Sequence, residues 1–419
     1  MELLEILISI PRKNAGDFFM ARIEQRSQSI THTGLILTEE ILSPELRKTE
    51  KCGIIGVCAP DAAKLAFNGL KWLQHRGQDA AGMSVFTSDG KVITHKDEGL
   101  VPQAITPSVL SQFGQSQIAI AHCRYLTSDK HSIANAQPVV VEKDGYTLAL
   151  GHNGNFFDTG WFDGIVPIEI QGTSDSNKFA AFVLWERLNS NSWLEAFDHT
   201  LTRVQNTGSI SAVAITDSGE LFGMTDQNRN RPLIIARLPE GWVITSESVA
   251  GDKIGAAYVR KVQRNELVHV TADGKLRVYY YGIPGRPAEC IFEKIYFSRP
   301  DSFEDIAIQV GRENTGKFVG QRMLQKGIKP TVVIPVYDSG APASKGMADA
   351  LGVPRSDGLK RDHYVDRTFI KLTAKERENG VNGKFNVIPD LVQGQLAGVG
   401  EDSIVRGTTG VPLTKLIRN

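Results

Sequence analysis

Cysteine is scarce in this chain of 419 residues, which has four: Cys52, Cys58, Cys123 and Cys290. No two form a Cys-x-x-Cys pair, and four are too few to staple a chain this long, so no disulfide framework is encoded. A reducing cytoplasmic setting fits. Net charge is also missing, because Lys plus Arg and Asp plus Glu each total 47. With no basic block to neutralise a phosphate backbone, nucleic acid is excluded as a partner. No apolar run is long enough to span a bilayer, and the apolar start, Met1 to Ile10, carries Glu2 and Glu5 where a signal would be basic. That start is read as a helix, and no membrane partner is expected. Asp17, Glu24, Glu39, Glu40, Glu45 and Glu50 argue against a transit peptide, which is poor in acids. There is no internal repeat, no Gly-x-x-x-x-Gly-Lys loop and no strand followed by Gly-x-Gly-x-x-Gly.

What is present is an ample core, with 41% hydrophobic residues, and a length that suits two or three domains. Residues 1–51 form a mixed-polarity extension. From Cys52 to about Ile283, short apolar runs flank Asp89-Gly90, Asp144-Gly145, Asp217-Ser-Gly219 and Asp273-Gly274. These are hairpin turns, so this stretch is mainly antiparallel sheet. Two helices are legible in it. Asp61 can cap one carrying Ala62, Ala66, Leu70 and Leu73, and Ser174 or Asp175 can cap another through Ala180, Leu184 and Leu188. Tyr281-Gly-Ile-Pro-Gly-Arg-Pro287 reads as a linker. Beyond it, in residues 284–419, the β-branched run Thr331 to Val336 is followed by Asp338-Ser-Gly-Ala-Pro342 and a helical stretch, the pattern of a parallel α/β sheet.

Chemistry first suggests itself at Cys52-Gly-Ile-Ile-Gly-Val57, a cysteine heading an apolar strand. His75-Arg-Gly-Gln78, His122-Cys-Arg-Tyr125, Gly151-His-Asn-Gly-Asn155 and Thr173-Ser-Asp-Ser176 follow it in order. Together these segments resemble the glutamine amidotransferase domain of the N-terminal nucleophile class, an αββα fold with two antiparallel sheets. A thiolate is a competent nucleophile for amide hydrolysis, and a free α-amino group of pKa about 8 can serve as its base. The resemblance makes Cys52 the nucleophile and gives the oxyanion to the Asn153 side chain and the Gly154 N–H. It puts Arg124 on the glutamine carboxylate, Asp175 on its ammonium group and Arg76 in the wall beside them. Cys123, Leu126 and Asn177 depart from the family pattern next to these contacts. An internal Cys52 has an amide where the mechanism needs an amine, so residues 1–51 are expected to be a propeptide, or in part a misplaced start with Met20 as the real one.

A second constellation, Glu401-Asp-Ser-Ile-Val-Arg-Gly-Thr-Thr409, resembles the signature loop of type I phosphoribosyltransferases. In such a loop an acidic pair meets ribose hydroxyls, and N–H and hydroxyl donors wrap a 5′-phosphate. The resemblance implies phosphate or ribose contacts by Glu401, Asp402, Ser403, Arg406, Gly407, Thr408 and Thr409, with Asp338 and Ser339 on the diphosphate side. It also implies Mg²⁺ at Glu401 and Asp402. Phe292 to Ser302 and Tyr364 to Ile370 match further segments, and the whole resembles the amidophosphoribosyltransferase family. That family makes 5-phosphoribosylamine, glutamate and diphosphate from glutamine, 5-phosphoribosyl 1-diphosphate and water, the first step of de novo purine synthesis. Purine nucleotide inhibitors and a homo-oligomer are implied with it.

Departures are denser in this second half. Lys360-Arg-Asp-His-Tyr364 and Asp366 alter the closing loop, and Leu396-Ala-Gly-Val-Gly400 brings two glycines into a strand that is usually β-branched. These glycines are expected to pack nothing. The second domain is expected to be incomplete, leaving a strand edge open and Leu413, Leu416 and Ile417 with little to pack against. On that basis glutamine hydrolysis would outrun phosphoribosylamine synthesis, and a free-standing glutaminase or a non-catalytic binding remnant is the alternative. Cys290 matches one ligand of the family's [4Fe-4S] branch, but one cysteine cannot hold a cluster, and core packing is the reading kept for it.

Overall fold

Turn chemistry explains much of the chain. Asp144 and Gly145 both take left-handed backbone, with φ of 52° and 84°, as a two-residue hairpin loop requires. The computed structural model describes residues 7–9, 52–125, 132–157, 159–162, 164, 166–362, 384–403 and 410–418. They fall into two compact units, 52–293 with 297–305, and 7–9 with 294–296 and 306–418. Leu7–Ser9 (β1), read above as part of a helix, is a strand paired antiparallel with Leu396–Gly400. A sheet edge offers ladder partners to its backbone, which outweighs the weak helical preference of so short a segment. The rest of the extension, Leu126, and the closing-loop residues from His363 onward lie outside the described residues.

In the larger unit the strands run β2 (Gly53–Cys58), β3 (Ala80–Thr87), β4 (Val92–Glu98), β5 (Ser116–Arg124), β6 (Val139–Lys143) and β7 (Tyr146–His152). They continue as β8 (Asn155–Phe156), β9 (Gly208–Ser209), β10 (Ser211–Thr216), β11 (Leu221–Thr225), β12 (Ile234–Leu238) and β13 (Gly241–Thr245). The last are β14 (Ala257–Lys261), β15 (Glu266–Val270) and β16 (Leu276–Tyr280). One antiparallel sheet has the order β14-β12-β13-β2-β5-β3-β4, and the other β16-β15-β11-β10-β7-β6.

Strand parity sorts their side chains. Ile55 and Val57 join Ala62, Ala66 and Leu70 of helix α1 (Ala62–Lys71) in one core. Ile54, Ile118 and Ile120 meet Ala149, Val213 and Ile215 of the other sheet in a second. Leu148, Leu150 and Phe222 pack on Phe179 and Phe182 of α2 (Asp175–Leu188) and Phe197 of α3 (Trp193–Val204) in a third. The unit is therefore layered helix, sheet, sheet, helix. Ser174 caps α2, accepting the Asn177 N–H. Asp61 precedes α1 but does not cap it. Its own backbone is left-handed, with φ 58°, and the free Ala63 N–H instead donates to Ser116 Oγ at 3.0 Å. The Gly/Pro-rich stretch after Tyr281 is laced to the same unit by Gly285 N–H to Gln227 O and Ala288 N–H to Asn228 O, at 3.0 and 3.1 Å.

The smaller unit contains α4 (Ile308–Gln325), β17 (Val332–Pro335), α5 (Ala341–Leu351), β18 (Leu359–Arg361), β19 (Phe385–Val387), β20 (Leu396–Gly400) and α6 (Gly410–Arg418). β20 pairs parallel with β17 on one side and antiparallel with β1 on the other. Its glycines do pack, against expectation. A Cβ on Gly400 would lie 2.1 Å from Ser344 Oγ, and the missing side chain lets that hydroxyl donate to Gly400 O at 3.1 Å. Leu413 and Ile417 are likewise buried, at 1% and 3% exposure, with Val332, Ile334, Leu359 and Phe385. The turn spacing of α6 supplies an apolar stripe, and this sheet face is its partner. No described helix is long and apolar enough to cross a membrane.

Candidate active site

Parity also aims the first set of candidate residues. In β2, Ile54 points between the sheets, and Cys52 two residues earlier shares that direction. In β5 the same face carries Ile118, Ile120, His122 and Arg124, and Ile54 pairs with His122. On the facing sheet Ala149 and Gly151 point inward, and Asn153 follows on the same parity. The sheets close in at Gly151, where a Cβ would lie 3.7 Å from Ile54 Cγ2 and 3.9 Å from His122 Cβ. Cys52 and Asn153 each stand two residues beyond that contact, both 0% exposed. The start of β2 is held rigidly, its Ile54 N–H donating to Ser246 Oγ at 3.1 Å and its Ile54 O accepting from Thr245 Oγ1 at 3.0 Å.

The Asn153 amide stands out because neither Nδ2 nor Oδ1 has a hydrogen-bond partner among the described residues, although both are buried. Such a group costs about 1–3 kcal/mol, and a buried polar group left unpaired in a folded protein calls for an explanation such as a catalytic role. Its backbone, by contrast, is fixed: Asn153 N–H donates to Ser211 O at 2.8 Å, and Ser211 N–H returns to Asn153 O at 3.1 Å. Gly154 could be no other residue, since a Cβ there would sit 2.0 Å from Ser209 O and 2.3 Å from His152 Nε2.

Arg124 is 6% exposed, and its side chain makes no ion pair or hydrogen bond among the described residues. Gly77 packs on its backbone, where a Cβ would lie 2.4 Å from Arg124 C. Asp175, at the first turn of α2, accepts the Ser176 N–H at 2.8 Å and the Phe156 N–H at 2.9 Å, and no basic side chain pairs with it among the described residues. The unit thus offers one buried cation and one fixed carboxylate, the complement of an amino acid's main-chain charges. Arg76 is committed elsewhere: its fully buried guanidinium bonds Glu247 and Glu293. Burial pushes the Cys123 thiol up to about 12 and raises that of Cys58, which makes both poor nucleophiles. Cys123 instead donates to Leu73 O at 3.3 Å, while Asn177 Nδ2 bonds Ser174 Oγ at 2.7 Å. Cys290 is half-buried, its N–H on Asn230 O at 3.1 Å.

In the smaller unit, Glu401, Asp402 and Ser403 follow β20 and are half-buried. The Ser403 hydroxyl donates to Asp402 Oδ1 at 2.5 Å. Burial, and then the neighbouring Asp402 charge, pushes the Glu401 carboxyl up to about 7; burial also raises Asp402. Asp338 accepts from Arg361 NH1 at 2.5 Å, and Ser339 neighbours it in the same turn. Arg406, Gly407, Thr408 and Thr409 lie outside the described residues.

Two residues that the sequence pattern leaves unmarked prove central. Glu247, in Thr245-Ser-Glu-Ser248, gathers His75, Arg76, Ser302 and the Arg299 N–H around one buried carboxylate. Gln137, between Ala136 and Pro138, bonds His152 and Ser176. Gln137 could have been noticed as an amide just ahead of the apolar run Val139 to Val141, whereas Glu247, among Thr245, Ser246 and Ser248, gave no such signal.

No protein-family model matches the chain. Among curated proteins it is 37% identical over 384 residues to an amidophosphoribosyltransferase of Synechococcus elongatus, which covers 89% of this chain and 76% of that one. It is 35% identical over 401 residues to an amidophosphoribosyltransferase of Mycobacterium tuberculosis, covering 93% and 73%. Among solved structures, the glutamine phosphoribosylpyrophosphate amidotransferase of Bacillus subtilis, complexed with ADP and GMP, superposes with a TM-score of 0.78. That similarity, at 31% identity, covers 88% of this chain and 79% of that one.

Proposed function

Since the chain belongs to the amidophosphoribosyltransferase family, we propose that its glutaminase chemistry runs at Cys52 with Asn153 and Gly154 as the oxyanion donors. The enzyme catalyses the first step of purine synthesis, forming 5-phosphoribosylamine, glutamate and diphosphate from glutamine, 5-phosphoribosyl 1-diphosphate and water. The relatives match nearly the whole chain, both units included, so a free-standing glutaminase or a non-catalytic remnant is not favoured.

The observation that carries the site is the buried amide of Asn153, without a hydrogen-bond partner among the described residues, on the inward face opposite the sheet that carries Cys52. The Cys52 thiol gives its proton to the free α-amine of a chain that begins at Cys52, and the resulting thiolate attacks the side-chain amide carbon of glutamine. Negative charge builds on the carbonyl oxygen, where Asn153 Nδ2 and the Gly154 N–H stabilise it away from water. The α-ammonium returns the proton to the amide nitrogen, which leaves as ammonia as the thioester forms; water, deprotonated by the same amine, then attacks the thioester carbon and releases glutamate, and the sulfur regains the proton. Arg124 holds the α-carboxylate in a planar fork and Asp175 the α-ammonium, which fixes the amide against the sulfur. Arg76 acts as a wall residue. These parts make up the N-terminal nucleophile arrangement in the larger unit.

In the phosphoribosyl unit, Arg406, Gly407, Thr408, Thr409 and Ser403 take the 5′-phosphate, Glu401 and Asp402 the ribose, and Asp338 and Ser339 the diphosphate side. Two adjacent half-buried carboxylates whose charge is disfavoured suit a divalent cation. Glu401 and Asp402 would hold Mg²⁺, which when bound neutralises charge on the departing diphosphate. Purine nucleotides as ligands, a homo-oligomer and a cytoplasmic setting belong to the same reading, and Cys290 serves packing.

The test measures glutamate and phosphoribosylamine together, with glutamine, 5-phosphoribosyl 1-diphosphate and Mg²⁺ supplied. Near-equal yields are expected in place of the excess glutamate anticipated from the sequence, because the β20 glycines and the apolar stripe of α6 on which that expectation rested are packed, and Asn153→Ala should lower both about a hundredfold or more. Undiminished glutamate release from that variant would remove Asn153 from the mechanism.

A further inference from the structure

We propose that Gln137 is the positioning residue that keeps the oxyanion donor Asn153 and the ammonium-binding Asp175 in fixed register; this rests on the roles given to those two residues above. Gln137 is 2% exposed and stands just before β6, where the chain enters the sheet. In the β6–β7 pairing Val139 lies opposite Leu150, so position 137 falls opposite His152. Pro138 has no N–H to offer the ladder there. The Gln137 side chain takes over: Oε1 accepts the His152 N–H at 2.6 Å, and Nε2 donates to His152 O at 3.2 Å. Both backbone groups of the residue preceding Asn153 are thereby held by one amide.

The same Nε2 donates to Ser176 Oγ at 3.2 Å. Ser176 also lies 3.0 Å from His152 Nδ1, and His152 Nε2 lies 3.2 Å from Ser209 O. A carbonyl can only accept, so Nε2 carries the ring proton and the Ser176 hydroxyl donates to Nδ1. Burial keeps this imidazole neutral. The ring packs directly on Gly154, where a Cβ would come within 2.3 Å of Nε2. On its other side, the Ser176 N–H donates to Asp175 Oδ1 at 2.8 Å. Gln137, His152 and Ser176 are 2%, 0% and 0% exposed, so water does not compete for the bonds these three make with one another.

Among the described residues the amide of Asn153 has no hydrogen-bond partner of its own, so its backbone is what aims it. Ser211 holds that backbone on one side, and Gln137, through His152, holds it on the other. Loss of the Gln137 amide should therefore misdirect the donor without touching the nucleophile.

The experiment compares the parent, Gln137→Leu, Gln137→Glu, Asn153→Ala and the Gln137→Leu/Asn153→Ala double variant, in chains processed to begin at Cys52. Gln137→Leu should lower the kcat of glutamine hydrolysis about tenfold to a hundredfold while KM moves by less than about threefold. Alkylation of Cys52 by iodoacetamide, which needs the thiolate but no oxyanion, should stay within about twofold of the parent. Asn153→Ala should cost markedly less on the Gln137→Leu background than on the parent, the signature of coupled residues. Should Gln137→Leu fail to accumulate as folded protein, the isosteric Gln137→Glu carries the same tests. It turns an acceptor toward His152 O and is expected to show the same kcat loss and the same non-additivity with Asn153→Ala. An unchanged kcat, or additive losses, would overturn the proposal. If Asn153→Ala alone left hydrolysis intact, the reading of Asn153 would fail instead, and the two outcomes are told apart in one data set.

Discussion

Arg76 and Glu247 form an ion pair that excludes solvent from both sides: their side chains are 0% and 2% exposed, and Arg76 Nε donates to Glu247 Oε1. The same carboxylate accepts from His75 Nε2 at 2.7 Å, Ser302 Oγ at 2.6 Å and the Arg299 N–H at 2.8 Å. Removing one partner of such a pair strands a buried charge, so Glu247→Ala should lose about 3–5 kcal/mol in urea unfolding. Burial alone would raise the Glu247 carboxyl, but the Arg76 charge, followed by His75, outweighs it and holds the group well below the usual glutamate range. A depressed folded value means the contribution is whole above the ordinary value of 4.5 and fades as pH falls below it. The stability gap between parent and Glu247→Gln should shrink in that direction. A gap that widened on acidification would contradict this assignment.

Arg124 and Asp175 are expected to act in recognition. Each contributes a charge-assisted contact worth about 1.5–3 kcal/mol, so Arg124→Met and Asp175→Asn should raise the glutamine KM about tenfold to a hundredfold. Arg124→Lys should recover only part, because a point charge cannot reproduce the planar fork. Glutaminamide, which lacks the carboxylate, should be used equally by the parent and Arg124→Met. A persistent advantage of the parent over Arg124→Met with that substrate would show that the arginine serves something other than the carboxylate.

Processing ahead of Cys52 is expected on chemical grounds, because an amide nitrogen is no base. Intact-mass analysis of active protein should find chains beginning at Cys52. Full activity in a population that keeps Lys51 would refute the role given to the α-amine.

The residues proposed for the glutaminase site stand out in the sequence because each is a chemically specialised type at a turn or strand end, and because strand parity, readable from Ile54, Ile55 and Val57, already tells which face Cys52 joins. The clamp on Arg76 was not. Glu247 and Glu293 reach it from distant parts of the chain, and nothing local in Thr245-Ser-Glu-Ser248 says which cation it will meet. Gln137 was missed for a similar reason, since its role depends on the register that sets it opposite His152. In the second half the difficulty ran the other way. Gly398 and Gly400 looked like defects in a strand, yet the space at Gly400 is what admits Ser344, and Leu413 and Ile417 found a sheet face that spacing alone could not supply. The Asp61 position marked the start of α1 correctly, but the bond that satisfies the helix end comes from Ser116, more than fifty positions away.

The most direct test of Cys52 as nucleophile is to quench turnover of glutamine with acid and locate the glutamyl group by mass spectrometry of the peptides. The thioester is expected on Cys52, lost together with glutamate release in Cys52→Ala and retained in Cys58→Ala. A glutamyl group on Cys123 or Cys58, or steady glutamate release from Cys52→Ala, would contradict the assignment.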